Sequence, residues 1–433
     1  MQLFTKLQKS CSVRINRYSA LFALLASSAL VFFATACTRR QPVVIWTDRA
    51  ELVSYVELFN AQQSRTQAVV VYKKQLVDAL PPAADEQAPD LVIGSWLKNA
   101  YVKKNFTPLN ALFTAKDLQP DSLYEPLLSY GKVDGKQYLL PISFNLPVVI
   151  FSVRNAERIP DNYMLSVDEI RDTAALFNTK NESDVYTHMG FAPSWEPEFL
   201  YAVAKLNGTH FKEQGSSFNW NQASLDKTVA YIKDWTTQVN GSTNAEQDFA
   251  FKYLYTPKYR QVDSGRCLFA YSTSSRLFSI SYEQLGSIDF RWIQQNEQIP
   301  VEDNIVMAGL YSHSANTAGT KYFLLWFVNE QTQKALLERT EAMHLNTASF
   351  GIAGGFSSLR DVNERLFPLY YQTLLGNLPA EASIQAPHSF PSRWTNLKER
   401  IVIPYLEEAT RTDGKKSVQS LDSRIDTWAR QFD

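Results

Sequence analysis

The sequence predicts a mixed α/β protein with a parallel sheet, because short β-branched strands alternate with a helical pattern near its start. The runs Pro42–Trp46 and Ala68–Tyr72 are typical of buried strands, and a third run, Asp90–Ile93, follows them. Between the first two, Arg49–Asn60 carries a helical apolar stripe, with Asp48 as its expected N-cap. The 433 residues suffice for two or three units, or one large two-lobed body, at about 150 residues per domain.

The first 37 residues have the pattern of an export signal that ends at a site for lipid attachment. Four basic residues and no acid precede the apolar run Tyr18–Ala36, and Cys37 follows its small residues. The ending Ala34-Thr35-Ala36-Cys37 resembles the lipobox of bacterial lipoproteins, in which the cysteine is acylated, for example with palmitate. That motif usually has Leu where Ala34 stands. The alternative is an uncleaved membrane anchor, since about 20 apolar residues span a bilayer.

Composition limits what the exported part can bind. Hydrophobic residues are 45% and charged residues 20% of the chain, which fits a globular protein with a sizeable core. Loss of residues 1–36 leaves 397 residues and changes the net charge from −1 to −5. No basic excess exists for nucleic acid. If Cys37 is acylated, Cys267 has no partner, so we expect a buried inert thiol and no disulfide.

The segment Tyr138–Phe151 differs from the strands before it, because Pro141 and Pro147 interrupt it. Proline fixes the backbone and cannot donate to a central ladder, so this segment suits a rigid crossing between lobes. Further along, Arg266–Tyr271 is predicted as a strand, and the run Ser272–Ser275 offers N-cap residues for the next helix.

The second half of the chain is predicted to be largely helical. Asp168–Trp235 has a helical pattern with an interruption at His188–Pro197, and Ala318–Leu337 is predicted as one helix. Val301–Tyr311 is predicted to be extended. From Leu359 onward, helices are joined by a proline-rich loop at Pro379–Pro391.

Searches for catalytic and metal motifs give little. The chain lacks a phosphate loop and a nucleophile elbow, and none of its five histidines lies within five residues of another. We therefore predict no enzyme, no metal and no cofactor. Glu196 is the one acid to test for glycoside hydrolysis, although a hydrogen bond to a ligand hydroxyl or a helix cap explains it more simply. The glycines of Gly351–Gly355 suit tight turns or a close approach to a ligand.

Aromatic residues beside polar partners form the remaining pattern. Several of them stand at predicted strand ends and loops: Trp46 near Asp48 and Arg49, Trp96 after Ser95, Phe144 before Asn145, Trp195 before Glu196, and Tyr271 before the serine run. Aromatic faces stack on sugar rings while polar side chains bind hydroxyls, which predicts a sugar or polyol ligand. For each aromatic residue alone, core packing is an equally good explanation.

The order of these motifs resembles one family. The lipobox, V-V-I-W-T-D-R-A-E, P-D-L-V-I-G at Pro89–Gly94, the Tyr138–Phe151 segment and D-S-G-R-C-L-F-A-Y at Asp263–Tyr271 are similar to the extracellular solute-binding proteins of ABC importers. The sugar-type branch is the nearest, and the resemblance covers residues 41–433. It implies a two-lobed periplasmic-binding-protein-like fold (type II), with hinge-connected lobes that close over a ligand cleft.

The resemblance also implies boundaries and site residues. Residues 1–36 are the signal peptide, 41–147 and 302–347 form the N-terminal lobe, and 148–301 and 348–433 form the C-terminal lobe. The ligand-binding residues it implies are Trp46, Asp48, Arg49, Glu51, Ser95, Trp96, Phe144, Asn145, Trp195, Glu196, Tyr271, Ser272, Ser275, Gly354, Gly355 and Phe356.

Together these observations predict a lipid-anchored, monomeric receptor on the outer face of a membrane. It delivers a small solute, a sugar or oligosaccharide, to ABC permease subunits. The alternatives are a surface lipoprotein of the same fold used in adhesion or signalling, and a secreted glycosidase.

Overall fold

The structure, a computed structural model, describes residues 41–114, 117–214, 217–391, 393–414 and 417–431. The predicted leader and Cys37 lie outside these ranges. Within them, none of the helices is long and apolar enough to cross a membrane.

Eighteen strands occur in the described residues. In chain order they are β1 Val43–Thr47, β2 Ala68–Tyr72, β3 Leu91–Gly94, β4 Lys132–Val133, β5 Lys136–Gln137, β6 Leu140–Phe144, β7 Pro147–Ser152, β8 Met164–Ser166, β9 Thr179–Lys180, β10 Tyr186–His188, β11 Lys212–Gln214, β12 Ser217–Asn219, β13 Ala270–Thr273, β14 Ile288–Gln294, β15 Ile299–Pro300, β16 Val306–Leu310, β17 Phe356–Ser357 and β18 Ile384–Gln385.

The α-helices of the same residues are α1 Leu52–Gln62, α2 Val102–Asn105, α3 Glu125–Tyr130, α4 Val167–Phe177, α5 Pro197–Leu206, α6 Gln222–Trp235, α7 Thr243–Phe251, α8 Lys258–Asp263, α9 Ser274–Leu277, α10 Tyr282–Leu285, α11 Thr317–Phe327, α12 Glu330–Ala342, α13 Phe367–Tyr370, α14 Trp394–Leu397, α15 Ile403–Ala409 and α16 Leu421–Ala429. Wider π turns at Thr236–Asn240, Val362–Leu366 and Lys398–Val402 adjoin α6, α13 and α14. Short 3₁₀ turns occur at Asn110–Leu112, Pro120–Ser122, Val153–Arg158, Pro193–Trp195, Gln372–Leu374 and Glu381–Ser383.

The first sheet has six strands in the order β17-β6-β16-β3-β1-β2. β1 is parallel to β2 and β3, as the alternating pattern predicts, whereas β16 and β17 run antiparallel to their neighbours. All five residues of β1 are buried, because helices cover both faces of such a sheet. The carboxyl ends of β1 and β3 therefore lie side by side and carry the loops that begin at Asp48 and Ser95.

The second sheet has four strands in the order β13-β7-β14-β8. β7 is antiparallel to β13 and β14, and β14 is parallel to β8. A separate core cluster packs on this sheet, and it includes Phe151 and Phe269 together with Trp394 and Leu406 from the C-terminal helices. The two sheets thus belong to two lobes, and the helices from 394 onward pack on the second.

Three chain segments cross between the sheets, and they bond to one another. The first crossing is Asn145–Leu146, between β6 and β7. The second is the segment after β14 that contains Val301 and Glu302, and the third is the segment around β18 that contains Gln385. The Glu302 amide donates to the Asn145 carbonyl at 2.8 Å, and the Val301 amide donates to the Gln385 carbonyl at 2.9 Å. β15 and β18 also pair in parallel. These bonds make the three crossings one hinge region.

Two predicted helices differ from the structure. α1 begins at Leu52 with Glu51 at its N-cap position and no side-chain cap, so Asp48 does not cap it. Its buried face includes Tyr55, whereas Val53, predicted on the apolar stripe, is half exposed. The predicted helix Ala318–Leu337 is two helices, because the chain turns at Val328 and the Asn329 side chain caps α12.

The lobe boundaries remain a proposal, and the structure suggests moving the last of them. The predicted boundary at 347/348 assigns Phe356 to the C-terminal lobe, but β17 pairs with β6 of the first sheet. Leu359 also bridges to Leu123, which lies before β4. We propose that the last crossing lies around β18 and the loop after it, ahead of α14.

Candidate functional site

Two adjoining cavities form a cleft between the loops after β1 and β3 and the segment 390–400. Their volumes are about 600 and 250 Å³, and both are lined by Trp96, Thr395 and Glu399. The larger cavity is also lined by Asp48, Lys74–Asp78, Ser95, Lys98, Phe390, Pro391, Arg393, Trp394, Asn396 and Arg400. The smaller is also lined by Asn145, Glu198, Tyr271, Thr273, Ser275, Arg276, Glu302, Asp303, Asn304 and Lys398.

Asp48, Arg49 and Ser95 form a bonded group on the first-lobe wall. Asp48 pairs with the Arg49 guanidinium at 3.2 Å and accepts the Ser95 amide at 3.2 Å. Arg49 also donates to the Ser95 hydroxyl, which itself donates to the Asn304 carbonyl at 2.9 Å. Burial raises the pKa of Asp48, although Arg49 opposes this. The group links the first lobe to the second crossing.

Trp96 stands where the two cavities meet. Its φ is +66°, a left-handed conformation that is rare for a bulky side chain and typical of functional sites. Phe390 contacts it edge to face at 6.1 Å and stacks on Trp394 at 5.3 Å with an 11° interplanar angle. This aromatic trio joins the first lobe to the segment after β18. The half-buried Trp96 and Phe390 give the cleft its apolar ring surface, and Trp394, which is 2% exposed, supports Phe390.

The wall at the first crossing consists of polar side chains around Asn145. Asn145 donates to the Gly354 carbonyl at 2.9 Å and accepts from the Ser274 hydroxyl at 2.7 Å. Tyr271 is 3% exposed, and its hydroxyl donates to Glu302 at 3.4 Å. Burial raises the pKa of Tyr271, and Glu302 adds to the rise. These bonds hold oxygen and amide groups at the floor of the smaller cavity.

A buried charge network supports this floor. Asp303 accepts from Lys205 at 2.6 Å, from the Tyr201 hydroxyl at 2.7 Å and from the Trp394 indole at 3.1 Å. Burial opposes its charge, yet Lys205 and Lys398 outweigh that cost and lower the pKa of Asp303. This network holds α5, the second crossing and α14 in one arrangement, because separating a buried charge from its partner is costly.

The pKa of Glu302, next to Asp303, is shifted in the opposite direction. Burial raises the pKa of Glu302, although Lys205 and Lys398 oppose the rise. In addition, Lys398 bonds to Glu198 at 2.7 Å. Glu302 therefore offers an acceptor or, when protonated, a donor to a ligand in the smaller cavity.

Six of the sequence-predicted residues line the cleft: Asp48, Ser95, Trp96, Asn145, Tyr271 and Ser275. Others lie directly behind them. Arg49 bonds to Asp48 and Ser95, the Glu51 carboxylate is 3.4 Å from the Ser349 hydroxyl, and Ser272 is buried beside Tyr271.

The glycines of the predicted site shape the backbone near Asn145. Gly354 has φ of +78°, and its carbonyl accepts the Asn145 amide. A Cβ at Gly355 would lie 2.6 Å from the Phe144 carbonyl oxygen. Only glycine permits this close approach, so this interpretation of the segment as a tight turn agrees with the structure.

Trp46, Phe144 and Phe356 lie in the core instead of the cleft. Trp46 is fully buried within β1, and Lys73 sits over its ring at 4.4 Å. Phe144 and Phe356 are 2% and 1% exposed and contact each other at 5.6 Å. Successive side chains of a strand point to opposite faces of the sheet, and both faces are covered here. A residue inside such a strand therefore stays in the core even when a cleft loop is close to it in sequence.

Trp195 and Glu196 lie elsewhere on the second lobe. Trp195 stacks on Phe249 at 5.6 Å, and its indole donates to the Glu246 carbonyl at 2.8 Å. Glu196 pairs with Lys258 at 2.6 Å. Neither lines the cleft formed by the described residues. The start of α5 instead presents Glu198 to the cleft, two residues further on.

Sequence reasoning missed the residues of the second crossing and of α14. Glu302-Asp303-Asn304 is a polar triplet between two apolar runs, which was the available signal for a cleft loop. Trp394 and Lys398 lie four residues apart on one helical face, and nothing local distinguishes that face from an ordinary surface. Among the described residues, no group of three or more His, Cys, Asp or Glu could hold a metal ion.

The fold and cleft define a class of protein: a two-lobed binding protein with its ligand site between hinged lobes. Residues 54–348, more than half of the chain, match the family of bacterial extracellular solute-binding proteins. The chain belongs to this family, whose members are exported binding proteins. Among curated proteins, none matches the sequence significantly.

Solved structures have the same fold at low identity. The sugar-binding protein MalE from Xanthomonas citri matches with a TM-score of 0.67 and 13% identity, over 90% of this chain and 96% of that one. An extracellular solute-binding protein family 1 member from Alicyclobacillus acidocaldarius gives 0.62 and 14%, over 90% and 99%. The cyclic alpha-maltosyl-1,6-maltose binding protein from Arthrobacter globiformis gives 0.58 and 16%, over 90% and 98%.

Proposed function

We propose that this protein is the receptor of an ABC importer and binds a carbohydrate in the cleft. The observation that carries the proposal is the aromatic trio of Trp96, Phe390 and Trp394 beside a floor of hydroxyl, amide and carboxylate groups. Apolar ring faces and hydroxyls of a sugar match these two surfaces. Proteins of similar fold are described as sugar-binding, which supports the same ligand class.

The ligand-contact residues proposed are Asp48, Ser95, Trp96, Asn145, Tyr271 and Ser275, to which we add Phe390, Trp394 and Glu302. Arg49, Glu51, Ser272, Gly354 and Gly355 hold these residues in position. The two cavities meet at Trp96, so a ligand of more than one sugar ring could occupy both. Closure of the lobes over it would follow from tighter binding to the closed state.

We also propose that Cys37 is acylated and tethers the receptor next to its permease as a monomer. Tethering raises the local concentration of the receptor at the permease without new contacts. Growth of the producing cells with a labelled fatty acid should label the wild-type protein and leave Cys37→Ala unlabelled. Labelling of both proteins would show that another site carries the lipid. Labelling of neither would show that the protein carries no lipid.

A thermal-shift screen tests the ligand class. Sugars, oligosaccharides, polyols, amino acids and oligopeptides are compared, and a ligand at 100 times its Kd should add about 2.7 kcal/mol to the free energy of unfolding. We expect carbohydrates to respond, and Trp96→Ala to reduce the response at the same ligand concentration to about 1 kcal/mol or less. A response to peptides alone would rule out the carbohydrate assignment.

The proposal includes no catalysis. Glu196, the acid singled out for glycoside hydrolysis, is paired with Lys258 away from the cleft. Among the carboxylates that line the cleft, we choose Glu302 and Glu399 for the test. Incubation with the responding oligosaccharide should leave it intact. Hydrolysis that disappears in Glu302→Gln or Glu399→Gln would replace the receptor with a glycosidase.

A further inference from the structure

The edge of the first sheet opposite the cleft forms a continuous surface, which we call the basal belt. β1 begins at this edge with Val43 and ends beside Asp48 at the cleft, about 16 Å away for a five-residue strand. The belt consists of residues 41–43, 65–67, 89–90, 104–105 and 311–316.

Hydrogen bonds join the parts of the belt. The Val43 amide donates to the Gln67 carbonyl at 2.8 Å, and the Asn316 side chain donates to the Gln41 carbonyl at 2.7 Å. On the other side, the Tyr311 amide donates to the Asp90 carbonyl at 3.0 Å, and the Ser312 amide donates to the Asn105 carbonyl at 2.9 Å. These bonds place Arg65 and Lys104 on the same edge as Gln41, the first described residue.

The charges of the belt have one sign at its surface. Arg65 and Lys104 are exposed, whereas Asp90, its one acid, is 3% exposed. The Asp90 carboxylate is turned inward, where it accepts the Val44 amide at 2.9 Å, the Ser314 hydroxyl at 2.7 Å and the Asn316 amide at 2.8 Å.

An exposed tyrosine adjoins the belt. Tyr101 is 54% exposed and lies one helical turn from Asn105, whose amide donates to the Tyr101 carbonyl at 3.0 Å. Tyrosine is enriched at membrane–water interfaces, and lysine or arginine near an anionic leaflet is attracted to it. The belt therefore has the composition of a surface that contacts phospholipid headgroups.

The proposed tether is short. Gln41, whose carbonyl is already bound to Asn316, lies four positions after Cys37. Four extended residues reach at most about 14 Å. If Cys37 carries the lipid, Gln41 stays within about this distance of the bilayer surface as long as its bond to Asn316 is kept, so this end of the belt is held close to the headgroups.

We propose that the basal belt docks on anionic phospholipid headgroups, an inference that rests on the proposed acylation of Cys37. In this resting orientation the first lobe lies between the bilayer and the cleft, and the cleft faces solvent. Tether length supplies the proximity, and Arg65 and Lys104 supply the attraction.

The test uses the full-length acylated protein in vesicles of phosphatidylcholine with phosphatidylglycerol, some lipids carrying a spin label on the headgroup. A fluorophore is attached at Ala315→Cys in the belt or at Thr395→Cys at the cleft, both exposed positions. Cys267 is buried and stays unlabelled. We expect strong quenching at 315 and little at 395, and less quenching at 315 in pure phosphatidylcholine. Equal quenching at both sites, or more at 395, would overturn the docking.

Charge reversal separates attraction from tether length. Arg65→Glu with Lys104→Glu should lower quenching at 315 by at least about fivefold, since one cation at an anionic leaflet is worth about 1 kcal/mol. Lys227→Glu with Lys233→Glu, two exposed lysines on α6, is the matched control and should change nothing. A thermal melt verifies that both variants fold. If the belt variant and the control variant change the quenching at 315 equally, the belt is not a docking surface.

Fatty-acid labelling of the same preparation shows whether an absence of quenching reflects missing docking or missing acylation. A labelled protein without quenching at 315 overturns the docking and leaves the anchor standing. An unlabelled protein overturns both the anchor and the docking. Carbohydrate binding is unaffected by either result, because the thermal-shift screen judges it separately.

Discussion

Two tryptophans, Trp96 and Trp195, show how one residue type takes different roles in this molecule. Each stands beside a polar residue, and the sequence predicts both as ligand contacts. Trp96 lines the cleft in a left-handed backbone conformation, whereas Trp195 stacks on Phe249 and bonds to Glu246. The difference depends on which neighbours the fold supplies, and no local pattern encodes it.

Alanine substitutions should separate these roles. Trp96→Ala should weaken carbohydrate binding by about 30-fold, or ~2 kcal/mol, as expected for an aromatic anchor in a binding site. Trp195→Ala should lower the free energy of unfolding by about 3 kcal/mol and leave affinity nearly unchanged. Calorimetric titration and chemical denaturation measure the two effects. A loss of affinity in Trp195→Ala and a loss of stability in Trp96→Ala would instead make Trp195 the ligand contact and Trp96 the core residue.

Asp303 should be a stability residue even though it borders the cleft. Asp303→Asn leaves Lys205 without its carboxylate partner, whereas Lys398 keeps Glu198, and breaking a buried ion pair costs about 3–5 kcal/mol. Tyr201→Phe is the matched control, since it removes one hydrogen bond to Asp303 worth about 1 kcal/mol. Denaturant unfolding compares the two. Equal losses would mean that the ion pairs contribute no more than the hydroxyl.

His210 should make the protein less stable in acid. Its ring contacts His388 at 3.7 Å, and burial, His388, Lys212 and Lys205 lower the pKa of His210 to about 4. The unfolded value is about 6.5, so the unfolded chain binds more protons and stability is lost as pH falls from 6.5 towards 4.

A glutamine cannot take up that proton. His210→Gln should therefore show a smaller drop in Tm than the wild type between about pH 7 and pH 4.5. His313→Gln, at an exposed histidine, serves as the control and should follow the wild type. The same drop in all three proteins would exclude His210 as the cause.

At the scale of elements, the first crossing depends on a glycine. Gly355 lies against the Phe144 carbonyl, where a Cβ would come within 2.6 Å, while Gly414 has open space around its Cβ position. Gly355→Ala should cost about 1–3 kcal/mol, because the backbone of β6 or β17 must shift. Gly414→Ala should be close to neutral. Thermal unfolding measures both, and a neutral Gly355→Ala would show that the hinge adapts freely.

Elements were predictable where a local rule acts alone. The strand Ala68–Tyr72 occurs with the predicted ends, because its β-branched run has no competing signal. The predicted helix Ala318–Leu337 is divided, because Asn329 bonds to the amides of Gln331 and Thr332 and starts a new helix. Asn inside a helical pattern is a capping signal that periodicity alone overlooks.

For the molecule as a whole, lobe closure should be visible in solution. The ligand found by the thermal-shift screen should lower the radius of gyration in small-angle scattering, since the lobes would close on it. At a ligand concentration just above the wild-type Kd, Trp96→Ala should nearly keep the radius of the free protein, because its affinity is expected to be about 30-fold weaker. An unchanged radius in the wild type with saturated binding would mean that binding needs no closure.

The sequence by itself determined the fold class, the family and the export pattern, because strand and helix periodicities and the order of motifs are local properties. It also provided six of the cleft residues, four of which, Asp48, Ser95, Trp96 and Asn145, lie directly after strands. The tertiary structure alone decided the rest. Phe390 meets Trp96, and Asp303 meets Lys205 and Trp394, only through packing of segments far apart in the chain. Trp46 and Phe356 lie in the core because both faces of their sheet are covered.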